Sequence, residues 1–129
     1  MISVSELNQL ELYRRICNTL FLFGVPAHVK GYRYLISGIT LVATEPDYLG
    51  GITSRLYPTI GEEYDEKPVN IERSIRNAID ITFDRGDYEL LRSYFGSAIK
   101  EKTGKIASAE FMAIIAQKIR LEMLKDASN

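Results

Sequence analysis

Apolar residues recur at helical spacing along almost the whole chain, interrupted by single glycines, prolines and short polar clusters. This pattern predicts an all-α protein, with six helices in a single domain. The predicted helices cover residues 5–23, 28–42, 48–64, 68–85, 87–95 and 108–125. Within the third helix, the Tyr57-Pro58 pair predicts a kink, because proline lacks a backbone N–H and clashes with the preceding turn.

Two of these helices have an apolar side that can be named from the spacing alone. In the first helix, the residues expected to line one side are Leu7, Leu10, Tyr13, Ile16, Cys17 and Leu20. In the sixth, those expected to turn mostly inward are Phe111, Ile114, Ile115, Ile119 and Leu121. The stretch 97–106 between the last two helices is polar and lysine-bearing, and we expect it to be exposed.

The fourth helix is divided more clearly into two sides. At about 100° per residue, its apolar side collects Ile71, Ile75, Ala78, Ile79, Thr82 and Phe83. The opposite side collects Asn70, Arg73, Arg76, Asn77 and Asp80. One face is therefore expected to be buried, and the other is open to solvent or to a partner.

The connection before this helix is short. Only Asp65, Glu66 and Lys67 separate it from the third helix, and Pro68 suits a first helical turn. A helix, a tight turn and a second helix form the outline of a helix-turn-helix, here at about 48–85, whose second helix enters the DNA major groove.

The exposed side chains suit base recognition. Arginine can bond guanine O6 and N7 together, asparagine can pair with adenine, and glutamate can accept a hydrogen bond from cytosine N4. An ordinary amphipathic helix with a solvated polar face fits the same pattern, so the pattern alone leaves both interpretations open.

Composition limits the classes of protein that remain. The chain of 129 residues is 46 % hydrophobic, enough for one core, yet no run reaches the roughly 18 to 20 apolar residues of a membrane span. The polar start MISVSELNQ lacks the order of a signal peptide, so a cytoplasmic, nucleoid-associated protein without a membrane partner is expected. The formal net charge of −1 means that DNA binding would depend on local placement of cations.

Catalytic and metal-binding patterns are missing from the sequence. One cysteine, Cys17, and one histidine, His28, cannot form a zinc cluster, and both are expected to be structural. The acid pairs Glu62-Glu63 and Asp84/Asp87 are interpreted as surface charges. Without a glycine-rich phosphate loop or a nucleophile with a base, we expect no enzyme, no cofactor and no metal.

Five blocks of the chain carry a resemblance to a known bacterial family. In order, they read GVPAHVKGYRYLISGITLV, LGGITSRLYPTIGEEY, NIERSIRNAID, RGDYELLRSYFG and SAEFMAIIAQKIRLE. Together they resemble the C-terminal DNA-binding effector domain of the stage-zero sporulation regulator A of endospore-forming bacteria. The resemblance implies a six-helix, sequence-specific transcriptional regulator related to the control of sporulation initiation. Its recognition helix would be 68–85, lying in the major groove of promoter DNA.

The recognition helix of that family can be carried over residue by residue. Glu72, Arg73 and Arg76 match the family, whereas Asn70 stands where it has a base-reading arginine and Asn77 where it has histidine. Lys67 occupies the place of a capping threonine, which would leave the helix without a side-chain cap.

Further contacts are expected outside that helix. Lys100, Lys102 and Lys105 are candidates for phosphate contacts beside the groove, a solvated loop being the alternative. Lys67 in the turn is also expected to contact DNA. The resemblance also implies a surface for the RNA polymerase sigma subunit on the short fifth helix, in the stretch holding Arg92 and Phe95. For Phe95, a position in the core is an equal alternative.

The mode of control is expected to differ from that of the full regulator. That regulator carries a phosphorylatable receiver domain before its effector, and 129 residues cannot hold both, so residues 1–129 are interpreted as one effector domain without a receiver. The resemblance implies tandem or homodimeric binding on DNA. The rival hypothesis is an interaction module that kept the fold, lost DNA binding and modulates the full regulator. Asn70, Lys67 and the acidic residues of the turn favour it, the latter being Glu62, Glu63, Asp65 and Glu66. Glu72, Arg73 and Arg76 favour DNA binding.

Overall fold

The structure, a computed structural model, describes the backbone of residues 4–128 and the side chains of residues 8–128. This part of the chain contains α-helices and short helical turns but no strand, so the all-α prediction is confirmed. The α-helices are α1 (Val4–Phe23), α2 (Lys30–Thr44), α3 (Tyr57–Tyr64), α4 (Pro68–Arg85), α5 (Tyr88–Phe95) and α6 (Ser108–Ala127). Apart from α3, their ends differ from the prediction by no more than two residues.

The predicted third helix is wrong in its first half. Instead of one kinked helix over 48–64, the chain forms a 3-10 helix (Pro46–Gly50), a π-helical turn (Ile52–Leu56) and then α3. Pro58 lies in the first turn of α3, where its missing N–H needs no partner, so it begins this helix rather than bending it. A short 3-10 turn (Gly96–Ala98) also follows α5.

Helix α2 lies at the centre and packs mainly against α4 and α6. Two of its glycines allow this close approach. A Cβ atom on Gly31 would overlap the carbonyl oxygen of Ser74 and come within 2.8 Å of the Ala78 Cβ atom in α4. A Cβ atom on Gly38 would lie 2.7 Å from the sulfur of Met112 in α6. The position of α4 is therefore set by direct backbone packing on α2.

An aromatic cluster joins α5 to the rest of the core. The Phe95 ring stacks on Phe111 of α6 with centroids 5.0 Å apart, and Phe23 at the end of α1 meets Tyr94 edge-on at 4.7 Å. Phe83 of α4 lies 6.1 Å from the Phe95 ring. These contacts, worth about 0.5 to 1.5 kcal/mol each beyond area burial, hold α1, α4, α5 and α6 together.

The apolar side predicted for α1 is only partly correct. Ile16 and Leu20 are buried as expected, but Leu10 and Tyr13 are 56 % and 54 % exposed. Cys17 is half-buried, and the side chain of Leu7 lies outside the described residues. The other buried residues of α1 are Leu12 and Phe23, while Phe21 and Leu22 face solvent. Because α1 carries apolar residues on several sides, the spacing did not identify the side that packs.

Ion pairs show which edge of α1 meets α6. Arg15 contacts Glu11 in its own helix and both Glu122 and Asp126 of α6. In α6 itself, Phe111, Ile115 and Ile119 are buried as predicted, Ile114 is half-buried, and Leu121 is 58 % exposed. Leu121 was placed on the wrong side, because it lies about 200° around the helix from Ile119.

Candidate nucleic-acid interface

The connection between α3 and α4 is a tight turn held by backbone contacts. Asp65 has left-handed backbone angles (φ 52°, ψ 50°), and the amide of Glu66 donates to the carbonyl oxygen of Gly61 at 2.8 Å. A Cβ atom on Gly61 would overlap the Glu66 carbonyl oxygen, so glycine allows this turn to close. The predicted helix-turn-helix is therefore present, with α4 as its second helix.

The two predicted faces of α4 are confirmed. The residues buried against α2, α3 and the core are those named from the spacing: Ile71, Ile75, Ala78, Ile79, Thr82 and Phe83. On the other side, Arg73, Arg76 and Asn77 are exposed, and Asn70, Glu72 and Asp80 are half-buried. The polar face is open along its length and can be approached by a ligand.

The first turn of α4 is organised by Glu66. Lys67 is the N-cap residue and makes no side-chain capping bond, as expected from the missing threonine. The Glu66 Oε1 atom accepts hydrogen bonds from the Asn70 side-chain Nδ2 at 2.8 Å and from the Lys67 backbone amide at 2.9 Å. These two bonds lower the pKa of the Glu66 carboxyl, with smaller contributions from the charges of Lys30 and Lys67.

The three residues that match the family differ in their surroundings. Arg76 Nη1 donates to Glu72 Oε1 at 2.6 Å, one turn away on the same helix. Arg73 has no hydrogen bond or ion pair with any described residue, and its side chain is exposed. Exposed pairs of the Glu72–Arg76 kind contribute little to stability, so both side chains can be redirected towards a ligand.

One loop lysine lies beside this face. Lys105 Nζ is 3.7 Å from Asp80 Oδ2 on α4, and the Lys105 carbonyl oxygen accepts from the Lys100 amide at 2.8 Å, which closes the loop. Lys102 is exposed at the tip of the same loop. Ile99 and Ile106 at the two ends of this stretch are buried, so the prediction of an exposed loop holds for its lysines but not for its anchors.

A comparison with known families agrees with this geometry. The family model described as "Sporulation initiation factor Spo0A C terminal" matches residues 16–119, from within α1 to the middle of α6. The chain belongs to this family. It is thus a sporulation-initiation regulator domain, of a family whose members generally bind DNA. The family is one of transcription regulators rather than of enzymes.

Two exposed side chains close to the polar residues of α4 were not predicted from the sequence. Val69 is 53 % exposed in the first turn of α4, next to Asn70. At about 100° per residue it lies within about 40° of both Arg73 and Arg76, so the helical spacing could have indicated an apolar side chain on the polar face. Lys30 begins α2 and is exposed close enough to Glu66 to affect its pKa. Its proximity follows from the packing of Gly31 on α4, which no local pattern reveals.

The two residues suggested for polymerase contact differ in their exposure to solvent. Arg92 is exposed on α5, but Phe95 is only 4 % exposed and stacks in the aromatic cluster. The expectation that Phe95 lies on a contact surface is therefore wrong, and the core alternative holds. Phe95 is the last residue of α5, Gly96 caps the helix, and the Phe95 ring turns inward towards Phe111.

The remaining candidate residues have ordinary surroundings. Glu62, Glu63, Asp84 and Asp87 are all exposed, and Asp87 caps α5 by accepting from the Leu90 amide at 3.2 Å. His28 is exposed. Among the described residues, no group of histidine, cysteine and acidic side chains is arranged to hold a metal ion. No helix of this part of the chain is both long and apolar enough to cross a membrane.

Proposed function

We propose that this protein regulates transcription by sequence-specific binding to promoter DNA, with α4 lying in the major groove. The observation that carries the proposal is the exposed Arg73 side chain, which has no partner among the described residues and lies in the N-terminal half of α4. The N-terminal residues of a recognition helix are the ones that reach base edges. Asn77, four residues later, is exposed on the same face.

Each polar residue of the interface then has a role. Arg73 and Arg76 bond guanine edges, Arg76 after release from Glu72, and Glu72 accepts from cytosine N4. Asn70 and Asn77 offer amides to adenine. The phosphate contacts come from Lys67, Lys102 and Lys105, which flank α4 on its turn and its neighbouring loop.

The proposal extends to partners. Promoter DNA is the main one, bound by tandem copies or a homodimer at the nucleoid. Arg92 on α5 is the exposed residue for contact with the RNA polymerase sigma subunit.

One observation favours a second function, a protein-interaction module without DNA binding that modulates the full regulator. Glu62, Glu63 and Asp65 are exposed directly before the recognition helix, and none has an ion-pair partner among residues 8–128. Uncompensated carboxylates at this place repel phosphate. A protein of this kind would bind no DNA even at low salt.

The test begins with selection of bound sequences from a random DNA pool. Arg73→Ala is then compared with the parent on a selected site and on scrambled DNA at fixed salt. We expect a loss of about 10- to 100-fold on the selected site and a smaller loss on scrambled DNA, because a paired base contact disappears together with a charge.

The matched control is Arg14→Ala, which removes the same charge from an exposed arginine of α1. Equal binding of the selected site by Arg73→Ala and the parent would remove Arg73 from the interface. No DNA binding by the parent at low salt would leave the interaction module as the better account.

A further inference from the structure

The start of α4 presents two neighbouring side chains of different chemistry to solvent. Val69 is an apolar side chain that is 53 % exposed, and Asn70 carries an amide held by Glu66. Among the described residues of α4, Val69 is the large hydrophobic residue that faces solvent. Exposed valine at the end of a helix that enters a groove gives an apolar surface to the base edges.

The contact with Glu66 determines which way the Asn70 amide points. A carboxylate has only acceptor oxygens, so the atom that faces Glu66 Oε1 has to be the donor Nδ2, at 2.8 Å. The carboxylate is itself held by the Lys67 backbone amide at 2.9 Å. The Oδ1 atom of Asn70 and its second Nδ2 hydrogen are left for a ligand.

This remaining acceptor and donor of the Asn70 amide match one base. Adenine presents an acceptor at N7 and a donor at N6 in the major groove, complementary to the free Nδ2 hydrogen and Oδ1. Guanine presents two acceptors, N7 and O6, so Oδ1 would face another acceptor. At neutral pH Glu66 is an acceptor-only carboxylate, and the hydrogen bonds from Asn70 and from the Lys67 amide lower its pKa further.

We propose that Asn70 reads an adenine and Val69 contacts the methyl group of a neighbouring thymine, with Glu66 as the positioning residue that orients the amide. The inference rests on the proposed function, in which α4 enters the major groove and Asn70 offers its amide to adenine, and goes beyond it by adding the thymine contact of Val69 and the orienting role of Glu66. Thymine is the base with a methyl group in that groove, and valine is a complementary apolar contact. The chain therefore prefers A·T pairs where the family's arginine at the Asn70 position suits guanine.

The first experiment uses modified bases, which leave the protein unchanged. In a site selected from random DNA, each thymine is replaced in turn by uracil, which lacks only the methyl group. We expect one replacement near the start of α4 to weaken binding several-fold, and the Val69→Ala variant to be insensitive to that same replacement.

The second experiment tests the amide. Replacing adenine by guanine at the position next to that thymine should weaken DNA binding by the parent about tenfold or more. In Glu66→Gln, whose side-chain amide can face Asn70 with either a donor or an acceptor, that discrimination should largely disappear. Asn70→Arg should reverse it in favour of guanine. Discrimination at the base read by Arg73 is the internal control and should not change in Glu66→Gln.

The outcomes separate this inference from the proposed function. If uracil is tolerated at every position and Glu66→Gln keeps the adenine preference, the inference is overturned, while a binding defect in Arg73→Ala still supports DNA recognition by α4. If the parent binds no DNA at low salt, both fall. Thermal unfolding of Val69→Ala and Glu66→Gln should resemble that of the parent, which shows that any binding change is not a loss of fold.

Discussion

Tyr94 shows how the environment of one residue links packing to pH. Its ring packs edge-on against Phe23, and Lys118 Nζ lies 3.8 Å from its ring centroid while donating to its carbonyl oxygen at 3.0 Å. Burial, with a smaller contribution from the charge of Glu122, raises the pKa of the Tyr94 hydroxyl to about 12. The neutral form is therefore favoured in the folded protein.

We expect Tyr94→Phe to reduce the loss of stability at alkaline pH. An unfolded tyrosine ionises near pH 10, so the contribution of Tyr94 is complete below about pH 10 and is lost as the pH rises towards 12. The difference between parent and variant should reach about 1 kcal/mol, less than the full shift implies because the ring is partly solvated. Urea unfolding at pH 9 and pH 11.5 measures it. Tyr88→Phe, at an exposed tyrosine of the same helix, is the control. If the free energy of unfolding fell equally between pH 9 and pH 11.5 for Tyr94→Phe and the parent, the prediction would be contradicted.

At the same scale, the sequence predicted which polar side chains of α4 are exposed better than it predicted their hydrogen bonds. Arg73, Arg76 and Asn77 are exposed on α4 as the helical spacing indicated. The bond from Asn70 to Glu66 depends on the left-handed turn at Asp65, which places Glu66 over the first turn of α4. A spacing rule carries no information on such side-chain geometry.

At the scale of elements, regular helices were predicted well and irregular ones were not. The bounds of α4 were correct because Pro68 begins it and its two faces differ strongly in polarity. The segment before α3 was missed because 3-10 and π turns have a different period from the α-helix that the spacing was compared with. The packing side of α1 depended on partners in α6 that are distant in sequence.

We expect Gly31→Ala to destabilise the contact between α2 and α4. The new Cβ atom would overlap the Ser74 carbonyl oxygen, a backbone atom of α4 that can move only together with that helix. The free energy of unfolding should fall by about 1 to 3 kcal/mol. Gly50→Ala is the matched control, since no atom lies within 4 Å of its added Cβ, and it should stay within about 0.5 kcal/mol of the parent. Equal urea midpoints for the two variants would show that α2 and α4 are less closely packed than described.

At the scale of the whole molecule, charge and fold place opposing demands on DNA binding. The formal net charge is −1, yet α4 offers Arg73 and Arg76 on a face otherwise bordered by carboxylates. Long-range attraction to DNA is then weak, so the proposed binding would depend on short-range contacts in the groove. The distribution of charge could be counted from the sequence, but which carboxylates lie beside α4 required the folded chain.

The exposed acids of α3 provide the test of this balance. Changing Glu62 and Glu63 together to glutamine removes two negative charges directly before the turn, and both side chains are exposed. We expect affinity for selected and scrambled DNA to rise by a similar factor, several-fold at low salt, because repulsion of phosphate does not depend on base sequence. The gain should shrink as ionic strength increases and the charges are screened.

A control with the same change in net charge separates position from total charge. Glu45 and Asp47 are exposed just beyond the C-terminal end of α2, about 20 Å along that helix from Gly31, where α2 meets α4. At physiological salt, Glu45→Gln with Asp47→Asn should raise affinity less than the α3 double variant, since the Debye length of about 8 Å is much shorter than the part of α2 that separates these charges from Gly31. Titrations of labelled DNA at several salt concentrations measure both. If the two double variants gained equally, total charge rather than the acids beside the turn would be limiting DNA binding.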